Sequence, residues 1–138
     1  MKRFHGGNGF IVVIVLLCAF TTAAATEVEV RSYHVGLLHP NGVDVAGYSI
    51  EKRISDNVYR FYNFGFPSFA AVGMGYYANY QGNGPTGTLG VGIGSVLYAS
   101  LAYQWRLAGE DYLKLGAGLT AGVAYSGAYP VLAYEHRF

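Results

Sequence analysis

From residue 26 onward the chain alternates large apolar residues with small or polar ones, and turn-forming clusters break the alternation at short intervals. Leu97, Ala99, Leu101, Tyr103, Trp105 and Leu107 interleave with Tyr98, Ser100, Ala102, Gln104 and Arg106. Leu113 to Tyr125 repeats the pattern, with Lys114, Gly116, Gly118, Thr120, Gly122 and Ala124 between the larger residues, and Leu89, Val91 and Ile93 alternate with Thr88, Gly90 and Gly92. A period of two places successive side chains on opposite faces of a strand, and no stretch carries a sustained, capped 3.6-residue period. The turn clusters are 39–42, 55–57, 67–68, 81–85, 94–95, 108–111 and 126–127. Seven turns separate eight strands, expected near 27–38, 43–54, 58–66, 69–80, 86–93, 97–107, 112–125 and 129–138. Such short connections pair neighbours as antiparallel hairpins. Arg60 among Tyr59, Phe61, Tyr62 and Phe64 leaves the facing of the third strand open.

The first 25 residues do not belong to this pattern. Lys2 and Arg3 precede an unbroken apolar run, Phe10 to Phe20, and Ala23 and Ala25 occupy A-x-A positions. This is the layout of a secretory signal peptide, with residues 26–138 as the mature domain. The apolar run is too short to span ~30 Å of hydrocarbon as a helix. Removing it takes away Cys18, the one cysteine, so the mature domain can form neither a disulfide framework nor a thiolate metal site. Seven basic residues then face eight acids, and no basic cluster marks a nucleic-acid surface.

Which face points inward decides the class of function. A soluble barrel would fill its core with the large apolar side chains; a transmembrane barrel turns them to lipid and lines its lumen with small and polar ones. Eight strands enclose little room, enough for Gly, Ala, Ser and Thr beside a few large residues. The aromatic residues Tyr103, Trp105, Tyr112, Tyr125 and Tyr129 sit near strand ends, where interfacial girdles belong. The chain closes with Leu132, Tyr134, His136 and Phe138 on one face and Ala133, Glu135 and Arg137 on the other. The expected fold is all-β, an eight-stranded antiparallel up-and-down transmembrane β-barrel with short turns.

The signal peptide, the Gly- and Tyr-rich alternation and the terminal Tyr134/Phe138 pattern resemble the small eight-stranded outer-membrane β-barrel proteins of Gram-negative bacteria. The resemblance lies in pattern rather than alignable sequence, and His136 departs from it. It implies residence in the outer membrane after export, and a bilayer carrying lipopolysaccharide as surroundings. It also implies recognition of Tyr134 and Phe138 by the barrel-assembly machinery. Leu115 to Val123 is locally similar to a strand of lipid A palmitoyltransferase barrels, which implies an acyl-handling alternative. With so few residues outside the strands, the outer turns are expected to be tiny, which argues against an adhesin or receptor.

Charges gather toward one end of this barrel. Glu27, Glu29, Arg31, Glu51, Arg53, Arg60, Arg106, Lys114, Glu135 and Arg137 all lie near the chain start, the even-numbered turns or the C-terminus. Facing inward, they would form either a selectivity ring or an ion-pair network that plugs a narrow lumen, with Arg137 close to Glu27 or Glu29; unpaired charge there is costly, which favours the plug. Toward the other end the lumen set is small, Gly73, Gly75, Gly90, Gly92, Gly116, Gly118, Thr120, Gly122 and Ala124. These residues make room for rings such as Tyr77, Tyr98, Tyr62 and Phe64, or for an acyl chain.

The catalytic inventory is thin. Ser32 and His34 share a strand face without a matched acid, and Asp44 could approach His39 across the first turn with no nucleophile near. The His–Ser pattern of lipid A deacylases is absent. The histidines His34, His39 and His136 are too scattered for a metal site, and no cofactor is expected. Gly82 to Gly87 fits G-x-G-x-x-G, but a strand follows and Pro85 sits inside, so it reads as a turn. The function expected is a structural or envelope-integrity role without enzymatic activity. The alternatives are lipid A acyl modification or acyl binding, and a secreted soluble barrel holding a small apolar ligand.

Overall fold

The computed structural model describes residues 28–93, 96–122 and 126–138. Residues 1–27, which include the expected signal peptide and Glu27, lie outside them, as do Ala124 and Tyr125. The described residues form eight strands and no helix: β1 (Glu29–Leu38), β2 (Ala46–Arg53), β3 (Val58–Phe66), β4 (Phe69–Tyr77), β5 (Gly84–Gly92), β6 (Val96–Ala108), β7 (Asp111–Ala121) and β8 (Gly127–Arg137). Each pairs antiparallel with its sequence neighbour, and β1 pairs antiparallel with β8, closing an up-and-down barrel. Closure leaves no free sheet edge.

The period of two carries through to the burial. On β6, Tyr98, Ser100, Ala102 and Gln104 are buried while Ala99, Leu101, Tyr103 and Trp105 are exposed. On β8, Val131, Ala133, Glu135 and Arg137 face in and Leu132, Tyr134 and His136 face out. The third strand, open from sequence, turns Tyr59, Phe61 and Asn63 inward and Tyr62 and Phe64 outward. Arg60 follows the outward set, beside Tyr62, and lies opposite Lys52 and Met74.

Close approach explains Gly73, Gly90 and Gly118 of the inward glycines, though not Gly92. A Cβ on Gly90 would fall 2.5 Å from the Tyr98 ring, one on Gly73 2.6 Å from the Phe61 ring, and one on Gly118 2.5 Å from the Tyr129 hydroxyl. These rings reach across a lumen too narrow for larger neighbours. Of the rings expected there, Tyr77 and Tyr98 point in, whereas Tyr62 and Phe64 lie on the outer wall. In the β6–β7 turn Gly109 takes a φ of 55°, which a residue with a Cβ adopts at a cost.

The β1–β2 connection departs from the expected tight outer turn. Ala46 starts β2 three residues later than expected, and residues 39–44 fold down into the barrel. His39, Pro40, Asn41, Gly42 and Asp44 are all buried. His39 stacks on His34, a residue of β1 several positions back, with ring centroids 3.9 Å apart. Glycines make the seat: a Cβ on Gly47 would come within 2.7 Å of the His34 ring, and one on Gly65 within 2.6 Å of the Asp44 carboxylate.

Candidate functional site

The barrel interior holds a connected polar network where a soluble core would be apolar. Inward parity brings Glu51 from β2, Tyr77 from β4, Gln104 from β6, Lys114 from β7 and Glu135 and Arg137 from β8 to one level. Lys114 and Glu135 are 1% and 0% exposed at their side chains. Glu135 Oε2 accepts from Lys114 Nζ and from His39 Nε2, each at 2.7 Å, and its Oε1 accepts from Arg137 Nε at 2.6 Å. Glu51 Oε1 accepts from Asn41 Nδ2 and the Tyr77 hydroxyl, both at 2.7 Å, and Oε2 accepts from the Tyr80 hydroxyl at 2.6 Å. The Tyr77 hydroxyl lies 3.4 Å from Lys114 Nζ and so links the two carboxylates.

Arg137 closes the lower end. Its guanidinium lies between the rings of Tyr112, at 3.9 Å, and Tyr80, at 4.1 Å, and donates to Gln104 Oε1 at 3.0 Å and to the Tyr80 carbonyl. Cation–π contact and donation to three separate acceptors, Glu135, Gln104 and the Tyr80 carbonyl, satisfy a charge that would otherwise be expensive to bury. Gln104 Nε2 in turn donates to the carbonyls of Asn79 and Gly82, both at 2.8 Å, pinning the β4–β5 turn. Burial, reinforced by the negative charge of Glu51, raises the pKa of Tyr80, which stays a neutral donor.

The in-folded connection is the upper half of the same network. His39 Nδ1 accepts from the Asn41 backbone N–H at 3.2 Å, so the ring carries its proton on Nε2, donates it to Glu135, and is neutral. Burial lowers the His39 pKa, against the opposing pull of its hydrogen bond to Glu135. The Asn41 carbonyl accepts from the Tyr98 hydroxyl; the Asp44 carboxylate accepts from Asn63 Nδ2 and from the Ser68 backbone N–H at 2.9 Å. Asn63 Oδ1 accepts from Ser49 at 2.7 Å. With His39 neutral, Glu51 and Glu135 balance Lys114 and Arg137 in the lower half of the network, while the buried Asp44 carboxylate of the upper half is held by the N–H groups of Asn63 and Ser68.

The candidate charges separate into two groups. Glu51, Lys114, Glu135 and Arg137 converge inside the barrel. Glu29 instead pairs with Arg31 at 2.8 Å and Lys52 at 3.7 Å, and Arg53 pairs with Asp56 in the β2–β3 turn. Arg106 sits at the β6–β7 turn with Glu110 at 3.3 Å and the Gly109 carbonyl at 2.6 Å. Arg137 is in register with Ser32 and turned into the network rather than toward Glu29. On the outer wall, Tyr134 donates to Asp111 at 2.8 Å, His136 contacts the same carboxylate at 2.6 Å, and Phe138 stacks on Tyr33 at 5.2 Å.

Tyr77, Tyr80, Gln104, His39 and Asn41 were not singled out together by the sequence. Inward parity could have found Tyr77 and Gln104. Nothing in a local pattern announces that the first turn folds inward. Asp44 meets His39 through its backbone carbonyl, at 3.0 Å, while its carboxylate goes to Asn63. Ser32 and His34 are buried on β1, and neither ring nitrogen of His34 has a hydrogen-bond partner among the described residues. No group of three or more His, Cys, Asp or Glu among the described residues is arranged to hold a metal ion. A cavity of about 280 Å³ lies at the upper rim, lined by Val43, Pro67, Phe69, Ile93, Val96 and Tyr98. No family model matches the chain, and neither the curated proteins nor the solved structures hold a match to it.

Proposed function

We propose that this chain is an integral outer-membrane β-barrel with a structural, envelope-supporting role, closed to free passage by its own interior. The observation that carries the reading is the inverted distribution of polarity. Carboxylates, a lysine and an arginine occupy the inside, while large apolar side chains on β1 and β3–β8 are exposed, Leu101 at 76% and Leu119 at 64%. In water each such leucine forgoes roughly 1.5–3 kcal/mol of burial. Against hydrocarbon the same wall is the favourable surface.

Two further features support this reading. Of the rings expected at the girdles, Tyr103 and Trp105 face outward, joined at that end by Tyr76 and Tyr134, with Phe64, Phe66 and Phe69 outward toward the other end; Tyr112 and Tyr129 turn into the lumen instead, and Tyr125 lies outside the described residues. The last strand offers Tyr134 and Phe138 on the outer wall, accessible to an assembly machinery that reads a terminal aromatic. The acyl-handling alternative draws no support from the interior, whose glycine-lined part is filled by Tyr98, Tyr129 and the β1–β2 connection.

The test is extraction and migration of the expressed protein. A membrane barrel stays with the membrane fraction through carbonate and runs faster on gels unheated than boiled. Complete release by carbonate would refute the proposal. Conductance measured across planar bilayers addresses closure separately, and a large, stable open state would refute that part alone.

A further inference from the structure

We infer that the β1–β2 connection is an acid-released plug: protonation of His39 drives residues 39–44 out of the barrel and opens the upper lumen to water as a vestibule ending at the Glu51–Glu135 level.

The geometry allows one protonation state. His39 is fully buried, gives its Nε2 proton to Glu135, and uses Nδ1 to accept the Asn41 N–H. A second proton can enter only at Nδ1, where it would convert the acceptor into a donor aimed at another donor and break the connection's own internal bond. The charge so created would face groups from four strands. Glu135 on β8 and Glu51 on β2 favour it. Lys114 on β7 opposes it, and already shares Oε2 of Glu135. His34 on β1 lies face to face with it at 3.9 Å, with no hydrogen-bond partner among the described residues to take up a rearranged proton. Burial outweighs the carboxylates and holds the His39 pKa below the ordinary histidine value.

Released, the imidazole regains an ordinary pKa of about 6.5. The folded-in state binds fewer protons than the released one, so it is fully favoured above that pH and weakens as pH falls toward the folded-in pKa. In that window the ratio of folded-in to released connection falls about tenfold per pH unit. The remaining ties, Asn41 to Glu51, Tyr98 to the Asn41 carbonyl and Asp44 to Asn63 and Ser68, are hydrogen bonds that water can replace. The lower network of Glu51, Tyr77, Lys114, Glu135 and Arg137 does not depend on the connection for its charge balance, so release opens a vestibule and not a through-passage. The device belongs to the barrel interior and stands independently of the membrane reading.

Amide hydrogen exchange of the full chain folded in detergent micelles, corrected for intrinsic pH dependence, tests this. Protection of residues 39–44 should fall about tenfold per pH unit below about 6.5, reversibly, while β5–β7 stay protected. His39→Gln should remove the acid transition. A connection that stays protected in the unaltered chain, or that loosens with the same midpoint in His39→Gln, would overturn the inference. Should the variant be unprotected already at neutral pH, NMR titration of the His39 imidazole in the unaltered chain decides. Its midpoint must coincide with the loss of protection, and a mismatch overturns the inference.

Discussion

Replacing Lys114 by methionine removes one of the two cations that balance the interior carboxylates. Methionine has a similar length and fits an apolar neighbourhood, so the substitution tests charge more than volume. The lost contact is the 2.7 Å bond to Glu135 Oε2, between side chains that are essentially unexposed. Taking away one partner of a buried pair typically costs 3–5 kcal/mol, because the surviving charge stays buried and uncompensated. Glu135 here keeps Arg137 at 2.6 Å and His39 at 2.7 Å, which places the expected loss near the lower end, about 3 kcal/mol. Removing the carboxylate as well, in Lys114→Met with Glu135→Gln, should restore part of that loss. The two substitutions therefore have a coupling well above the few tenths expected of independent sites.

The assay is reversible urea unfolding in micelles or vesicles. Trp105, the single tryptophan, reports from the outer wall, and unheated gel migration gives a second probe. A loss under about 1 kcal/mol for Lys114→Met, or a double variant no better than the single one, would refute the argument that this pair is a dry, mutually dependent network.

Four other substitutions probe other parts of the barrel. Leu101→Arg, on the outer wall, should destabilise the barrel in vesicles by about 2–4 kcal/mol if that wall faces hydrocarbon; a change within about 0.5 kcal/mol would be the behaviour of an aqueous surface. Gly116→Ala should cost about 1–3 kcal/mol in the same unfolding assay, because its Cβ would fall 2.5 Å from the Ala102 Cα on the neighbouring strand. Gly92→Ala has nothing nearer than 3.8 Å and should be close to neutral, and equal effects of the two would contradict the packing account. Asn41→Ala should loosen residues 39–44 at neutral pH, losing about 1.5–3 kcal/mol of local protection with its hydrogen bond to Glu51. Unchanged exchange there would remove that bond from the set holding the connection.

Strand number, order and facing were legible because one physical rule governs most of the chain. A side chain at β6 or β7 has two places to go, and the residue types on alternate positions differ enough to tell them apart: Leu and Trp outward against Gly, Ser and Thr inward, with Tyr and Ala on both faces. The rule faltered on β3 because aromatic residues serve both faces of a small barrel. Tyr59 and Phe61 fill the lumen while Tyr62 and Phe64 line the wall, so hydrophobicity alone could not choose. Charge was legible only by parity. Glu51, Lys114, Glu135 and Arg137 were carried inward by it; Arg53 and Arg106 also lie within strands, near their ends, but reach out to Asp56 and to Glu110 and the Gly109 carbonyl of the adjoining turns.

The first turn was illegible for a different reason. His39-Pro40-Asn41-Gly42 has the composition of an exposed tight turn, and locally it makes one, with an isolated bridge between His39 and Gly42. What sends it inward is remote: Glu135 lies 96 residues from His39, and Tyr98 lies 57 from Asn41. The inward glycines Gly47 and Gly65 are the local trace of that tertiary demand, since each leaves the space that His34 or Asp44 occupies. Glycines on the inner face of a narrow barrel therefore carry two meanings. Gly90 and Gly118 accept a ring from the wall, while Gly47 and Gly65 accept a piece of folded-in chain. The distinction matters for function, because a ring anchored on a strand is a fixed filler, whereas a connection tied at His39 and Asn41 can leave.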